Sequence, residues 1–160
     1  MPVEVRNLQR RRPVSARRIR GTAGRTLALL GRPDREVHVT LVDDPAIRRL
    51  NARYKAAAAP TDVLAFQLDA PGPSPLLGEI VISADTAARQ ARALGVPLGL
   101  ELDLLVVHGL LHLIGYDDHD AQEARLMHER AREILAAPSR SGGRAIPRRL
   151  WRGLLEDGRG

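Results

Sequence analysis

Residues 98 to 114 read LGLELDLLVVHGLLHLI, and GYDDHD carries the chain on to residue 120. The first of these stretches is almost continuously apolar, yet it is shorter than the roughly 18 or more unbroken apolar residues a membrane span needs, and Glu101 and Asp103 interrupt it. A helix that is apolar on every side is buried on every side. The stretch therefore predicts a buried central helix, stopped at Gly115.

Working outward, the neighbouring segments supply what such a helix packs against. Asp85 to Leu94 reads as a helix stopped by Gly95, and Leu77 to Ser83 (LGEIVIS) as a buried strand. Glu36 to Val42 (EVHVTLV) alternates, with Val37, Val39 and Leu41 on one side, and is a strand. Asp43 and Asp44 then cap a helix in which Pro45 suits the first turn and Ile47, Leu50 and Tyr54 keep helical spacing. Val63 to Phe66 reads as a short strand between a loop or frayed helix end at residues 56 to 60 and a Pro- and Gly-rich loop at 69 to 75. At the start, Val3 and Val5 alternate, and residues 13 to 30 read as a helix opened by Pro13 with Ile19, Ala23, Leu27 and Leu30 on its inner side. A last amphipathic helix covers residues 121 to 136. Short strands interleaved with helices predict an α+β (α/β-like) single domain, in which a small mixed sheet of about four strands packs with about five helices. The domain is expected at residues 1–137, followed by a basic Pro-, Gly- and Arg-rich tail at 138–160.

Composition narrows the chemistry. With no cysteine among 160 residues there is neither a disulfide framework nor a thiolate zinc site, so a transition metal must be held by His, Asp or Glu. The formal net charge of +6 and a pI near 11.0 suit a phosphate-rich partner. Aromatic residues make up only 2% of the chain, too few for a base-stacking surface, so nucleic acid would be gripped mainly through its phosphates. The opening residues MPVEVRNLQRRRP lack the apolar core of a signal peptide, and the expected location is the cytoplasm with no membrane association.

The stretch HGLLHLIGYDDHD, residues 108 to 120, carries the candidate chemistry. His108 and His112 are four residues apart, about one helical turn, and project from one face. Gly115 and Tyr116 turn the chain so that Asp118 or His119 comes back toward the same point. Three protein ligands with a fourth position left for water make a catalytic zinc site, where the pKa of the water falls to about 7 and hydrolysis follows. Two imidazoles in an otherwise apolar helix also need partners for their ring nitrogens, and an ion provides them. Zinc peptidases of the H-E-x-x-H type carry their general base directly after the first histidine, and that position here is Gly109. Proton transfer would fall to metal-bound hydroxide or to another carboxylate such as Asp62 or Asp117.

The same stretch resembles the hallmark H-G-x-L-H-L-x-G-Y-D-H of the YbeY family, the bacterial endoribonucleases of ribosomal RNA maturation, with residues 108 to 117 (HGLLHLIGYD) matching without a gap. VTLVDDPAIRRLNARYK at 39 to 55, PTDVLAF at 60 to 66 and GEIVIS at 78 to 83 resemble further family segments in the same order, so the likeness spans roughly residues 3 to 137. It implies a single-strand-specific, metal-dependent endoribonuclease with one Zn2+ per chain. It further implies a role in processing the 3′ end of small-subunit ribosomal RNA and in ribosome quality control, in association with the ribosome.

Two positions depart from the pattern. The family places its third His directly after the Asp of GYD, where this chain has Asp118, with His119 one residue later. Glu123, Ala124 and Met127 continue the family register without a gap, which favours Asp118, while a turn relaxed by one residue would bring in His119. Lys55 replaces an Arg that the family directs at substrate, and Lys meets a phosphate as a point charge without a bidentate fork. On this reading Lys55 and Asp62 are the catalytic residues, Lys55 and Thr61 contact substrate, and Asp62 lines the cleft. Two alternatives remain beside the nuclease: a non-catalytic, ribosome-associated RNA-binding factor with a structural metal, and a metallopeptidase.

Overall fold

In chain order the elements are β1 (Val3–Asn7), α1 (Ala16–Leu29), β2 (Glu36–Val42), α2 (Asp44–Lys55), β3 (Val63–Gln67), β4 (Leu76–Ser83), α3 (Ala84–Leu94), α4 (Leu98–Leu113) and α5 (Ala121–Ala136). They are seen in a computed structural model that describes residues 3–55, 62–67, 75–117, 120–137 and 150. The four strands form one sheet in the order β1-β2-β4-β3. β1, β2 and β4 are parallel, and β3 closes the β4 edge antiparallel, with Ala65 opposite Ile80. Among the described residues, five helices on a mixed four-stranded sheet make the α+β class expected from the sequence.

Strand alternation divides the sheet into two faces. Val37, Val39, Leu41, Ile80 and Ile82 point to one side, where α1 (Ile19, Ala23, Leu27) and α4 (Leu102, Leu105, Val106, Leu110) cover them. Val42, Leu64 and Val81 point to the other side, under Ile47 and Leu50 of α2. The far side of α4 is covered as well: Leu104, Val107 and Leu111 pack with Ala91 of α3 and with Met127, Ala131 and Leu135 of α5. Thirteen of the sixteen residues of α4 are buried, which explains an apolar stretch that crosses no membrane. No single helix among the described residues is long and apolar enough to span one.

The first helix begins later than Pro13. The Ser15 hydroxyl accepts a hydrogen bond from the Arg18 backbone N–H at 3.2 Å, so Ser15 is the N-cap and Pro13 lies in the extended approach. That start places Arg18 over α4. Its guanidinium donates to both oxygens of Asp103, at 2.8 and 3.2 Å, and the Thr22 hydroxyl adds a bond of 2.9 Å. Asp103 is 1% exposed, a burial that a carboxylate tolerates only when paired and hydrogen-bonded. The hydrogen bonds to Asp103 raise the pKa of Arg18 above its ordinary value, against the opposing effect of burial.

A second polar knot joins the starts of α2 and α3. Asp44 accepts hydrogen bonds from the hydroxyls of Ser83 and Thr86 and, at 2.7 Å, from Arg89. Burial alone would raise the Asp44 carboxyl, but the hydrogen bonds from Arg89, Ser83 and Thr86 and the charge of Arg89 outweigh it and lower the pKa to about 2.

Two stability predictions follow from these knots. In urea denaturation Arg18→Met should lose about 2–4 kcal/mol, and Arg18→Met/Asp103→Leu should recover most of it, because the single change leaves a buried carboxylate without its cation. A single variant as stable as the wild type would show that the pair does not clamp α1 to α4. For Asp44 the folded pKa is depressed, so its contribution is fully present above the unfolded value of about 3.9 and is lost as pH falls through about 2. Asp44→Asn should therefore melt below the wild type at about pH 6, by a small margin since Arg89 is 56% exposed, and should match it near pH 2. A gap of equal size at both ends of that window would rule out the charge as its source.

Candidate metal centre

The C-terminal half of α4 lies tightly on β4. A Cβ built on Gly109 would stand 2.8 Å from Cγ2 of Ile80 and 3.1 Å from its Cγ1 and Cδ1, and Ile80 is fully buried. Only glycine admits this approach. The absence of Glu after the first histidine thus has a steric cause, since that position faces the sheet with no room for a side chain. At the helix end, Gln67 of β3 donates to the Leu113 carbonyl at 3.2 Å and ties the edge strand to the same terminus.

This packing aims His108 and His112 at one point. His108 is 1% exposed and His112 is half-buried. Their rings stand edge to face, 4.7 Å between centroids and 75° between planes, and the two Nε2 atoms are 3.1 Å apart. Nitrogens bound at about 2.0–2.1 Å to one tetrahedral ion are separated by roughly 3.3 Å, so the pair fits two corners of such a site with a small adjustment. The donor set fits as well, because imidazole suits zinc and the heavier first-row metals.

Beyond the pair the backbone reverses. Gly115 has φ 109, a conformation suited to glycine, and the Tyr116 N–H reaches back to the Leu111 carbonyl at 3.0 Å. Only four residues later Asp120 caps α5, accepting the Glu123 N–H at 2.7 Å. Asp118 and His119, the two candidates for a third ligand, belong to this short connection and lie outside the described residues, as does Thr61. Among the described residues no group of three His, Asp or Glu side chains gathers around one point.

Of the remaining candidates, Lys55 is the last residue of α2. Asp62 is buried at the entry to β3; its carbonyl accepts from the Ser83 N–H at 3.0 Å and its carboxylate from Gln90 of α3 at 3.4 Å. That is the opposite end of β3 from Gln67. Gln90 went unread in the sequence, because nothing local to a helical Gln signals a partner that lies 28 residues away.

A family model, Endoribonuclease YbeY, matches residues 4–138. This chain belongs to the YbeY family. An Endoribonuclease YbeY of Anaeromyxobacter sp. (strain Fw109-5) is 47% identical over 138 residues, covering 82% of this chain and 72% of that protein. The Endoribonuclease YbeY of Geobacter metallireducens is 42% identical over 149 residues, covering 89% of this chain and 99% of the relative. The solution structure of TM1509 from Thermotoga maritima superposes with a TM-score of 0.58 over 97% of this chain and 93% of that one; at 22% identity the likeness is one of fold. The glycine that lets α4 sit on β4 therefore lies inside the match to the YbeY model.

The contact between Gly109 and Ile80 is open to a direct test. Gly109→Ala should destabilise the domain by about 1–3 kcal/mol through overpacking, and Ile80→Ala, which removes all three crowded atoms, should rescue part of that loss in the double variant. Strictly additive losses in the cycle would show that the two positions do not press on each other.

Proposed function

We propose that this member of the YbeY family is a zinc-dependent endoribonuclease that cuts single-stranded RNA in the cytoplasm and acts on ribosomal RNA at the small-subunit 3′ end, in association with the ribosome. The observation that carries the reading is the convergence of the His108 and His112 Nε2 atoms, 3.1 Å apart at the end of a buried helix. The name endoribonuclease borne by the relatives supports the reaction class. We assign the hydrolase unit to residues 1–137 and a separate basic tail to 138–160.

In this proposal His108, His112 and either Asp118 or His119 hold the ion. When bound, it supplies Lewis acidity and a water acidic enough to attack near neutral pH. The protein's own contribution is placement. Burial fixes His108, and the helix carries the half-buried His112 one turn on, so the ligand atoms need little reorganisation. Lys55 and Thr61 contact a phosphate, and Asp62, bonded to Gln90, lines the cleft. The peptidase alternative requires a carboxylate at position 109, where the sheet leaves no space.

The test measures metal content together with cleavage of single-stranded ribosomal RNA fragments, with a chelator control, on wild type and on His112→Ala, Asp118→Ala and His119→Ala. Wild type is expected to hold about one ion and cleave, with His112→Ala and one of the two turn variants losing both properties. Metal binding without cleavage above the His112→Ala background would instead favour the ribosome-associated factor with a structural metal.

A further inference from the structure

The loop between β1 and α1 reads LQRRRPVS, residues 8 to 15, and its shape is set by one side chain. Gln9 is 6% exposed; its amide donates to Asn7 Oδ1 at 2.9 Å and to the Arg12 carbonyl at 3.0 Å, while its Oε1 accepts the Arg12 N–H at 2.9 Å. The backbone on both sides of Arg10 and Arg11 is thus pinned, and both side chains are exposed. The Leu8 N–H bonds the Leu41 carbonyl at 2.8 Å, which fastens the loop to the C-terminal end of β2.

Asp85 fixes where this turn sits. One carboxylate oxygen accepts from Arg12 Nε at 3.3 Å and the other from the backbone N–H of Asp44 at 3.1 Å, so the loop is fastened against the first residue of α2. One turn further on, α2 presents Arg48 and Arg49 on its exposed side. Arg12 and Arg89 nearby are neutralised by Asp85 and Asp44. Among the described residues, Arg10, Arg11, Arg48 and Arg49 make no ion pair or hydrogen bond, and the two carboxylates at the junction of loop and α2, Asp85 and Asp44, are already bonded to other groups.

We propose that Arg10, Arg11, Arg48 and Arg49 form a docking surface for the phosphodiester backbone of single-stranded RNA outside the metal centre, which holds the chain that flanks the bond to be cut. It deepens the reading of this protein as a ribonuclease and rests on it for the identity of the polymer. Guanidinium forks match phosphate oxygens bidentately, and four of them without partners among the described residues keep that capacity for a ligand. With 2% aromatic residues there is little to stack on bases, so the surface reads backbone and not sequence. Arg48 lies four residues, about 6 Å of helix rise, beyond Asp44, where the loop is fastened, so the four guanidiniums are spread over more than one phosphate and binding should grow with the length of the strand.

The experiment uses the full chain and fluorescence anisotropy on 2′-O-methyl RNA strands of about four and about sixteen nucleotides over a salt series, their intactness checked on a gel. Wild type should bind the longer strand tighter. Arg10→Glu/Arg11→Glu and Arg48→Glu/Arg49→Glu should each weaken it about tenfold or more and lower the salt slope by about 1.4, with the short strand little changed. Arg92→Glu/Arg125→Glu is the charge-matched control on α3 and α5, and thermal melts verify the fold. An equal loss in the control would reduce the effect to net charge, and an equal loss on both strand lengths would place these arginines at the cleavage site; each overturns the docking surface. Unchanged binding in both reversals overturns it too and leaves the patch to a protein partner. If wild type proves unable to cleave RNA while the length-dependent loss is still seen, the surface stands and the nuclease reading falls.

Discussion

Helix α4 has no solvent side to speak of. The sheet covers one flank and α3 and α5 the other, so every polar atom it carries has to be answered from within the protein. Arg18 and Thr22 answer Asp103 and thereby fix the crossing of α1 over α4. At the other end the demand falls on His108, buried to the same degree as Asp103. A helix held this tightly cannot rotate or slide without opening two hydrophobic layers. The relative placement of its two imidazoles is therefore a property of the whole core rather than of a loop.

How much of this was legible beforehand varied with the range of the interaction. The extent of α4, the inner faces of β2 and β4, and the glycine stop of α3 all depend on periodicity or on a cap within a few residues, and the sequence carried them. The pairing of His108 with His112 was legible for the same reason, one helical turn being a local distance. The order β1-β2-β4-β3, with β3 laid antiparallel on the edge, has no local signal, since alternation is the same in either direction. Arg18 and Asp103 are 85 residues apart, and Asp85 serves Arg12 and the Asp44 backbone from 73 and 41 residues away. In the sequence Asp85 is one more acidic residue at a helix start. The start of α1 was misplaced for a smaller reason: Pro13 suits a first turn, but the Ser15 hydroxyl, two residues on, satisfies a backbone donor and marks the true boundary.

Part of the basic charge of the chain is spent inside the fold. Arg12, Arg18 and Arg89 act in the architecture, each against a named carboxylate, and between them they hold the loop, α1 and α3 in place. Arg10, Arg11, Arg48 and Arg49 have no such partner among the described residues. A net charge of +6 alone supports only a general attraction to polyanions. Proximity is what localises it: Asp85 fastens the loop that carries Arg10 and Arg11 to the start of α2, so that they and the exposed Arg48 and Arg49 stand on adjoining elements.

Gly109 shows how packing constrains chemistry. In a helix that offers two metal ligands one turn apart, the residue after the first is well placed to carry a proton acceptor, and peptidases of that pattern use it so. Here the close contact with Ile80 occupies that direction, so an acceptor has to come from the turn after Gly115, from the strand β3 side or from solvent. A phosphodiester makes less of this position than an amide does. Its leaving group is an alkoxide whose departure can be helped by a cation, whereas an amide nitrogen must be protonated to leave. The glycine that seats α4 on the sheet therefore removes the group a peptidase depends on, and it leaves room for the proposed reaction, whose charge would be met by a bound cation and by Lys55.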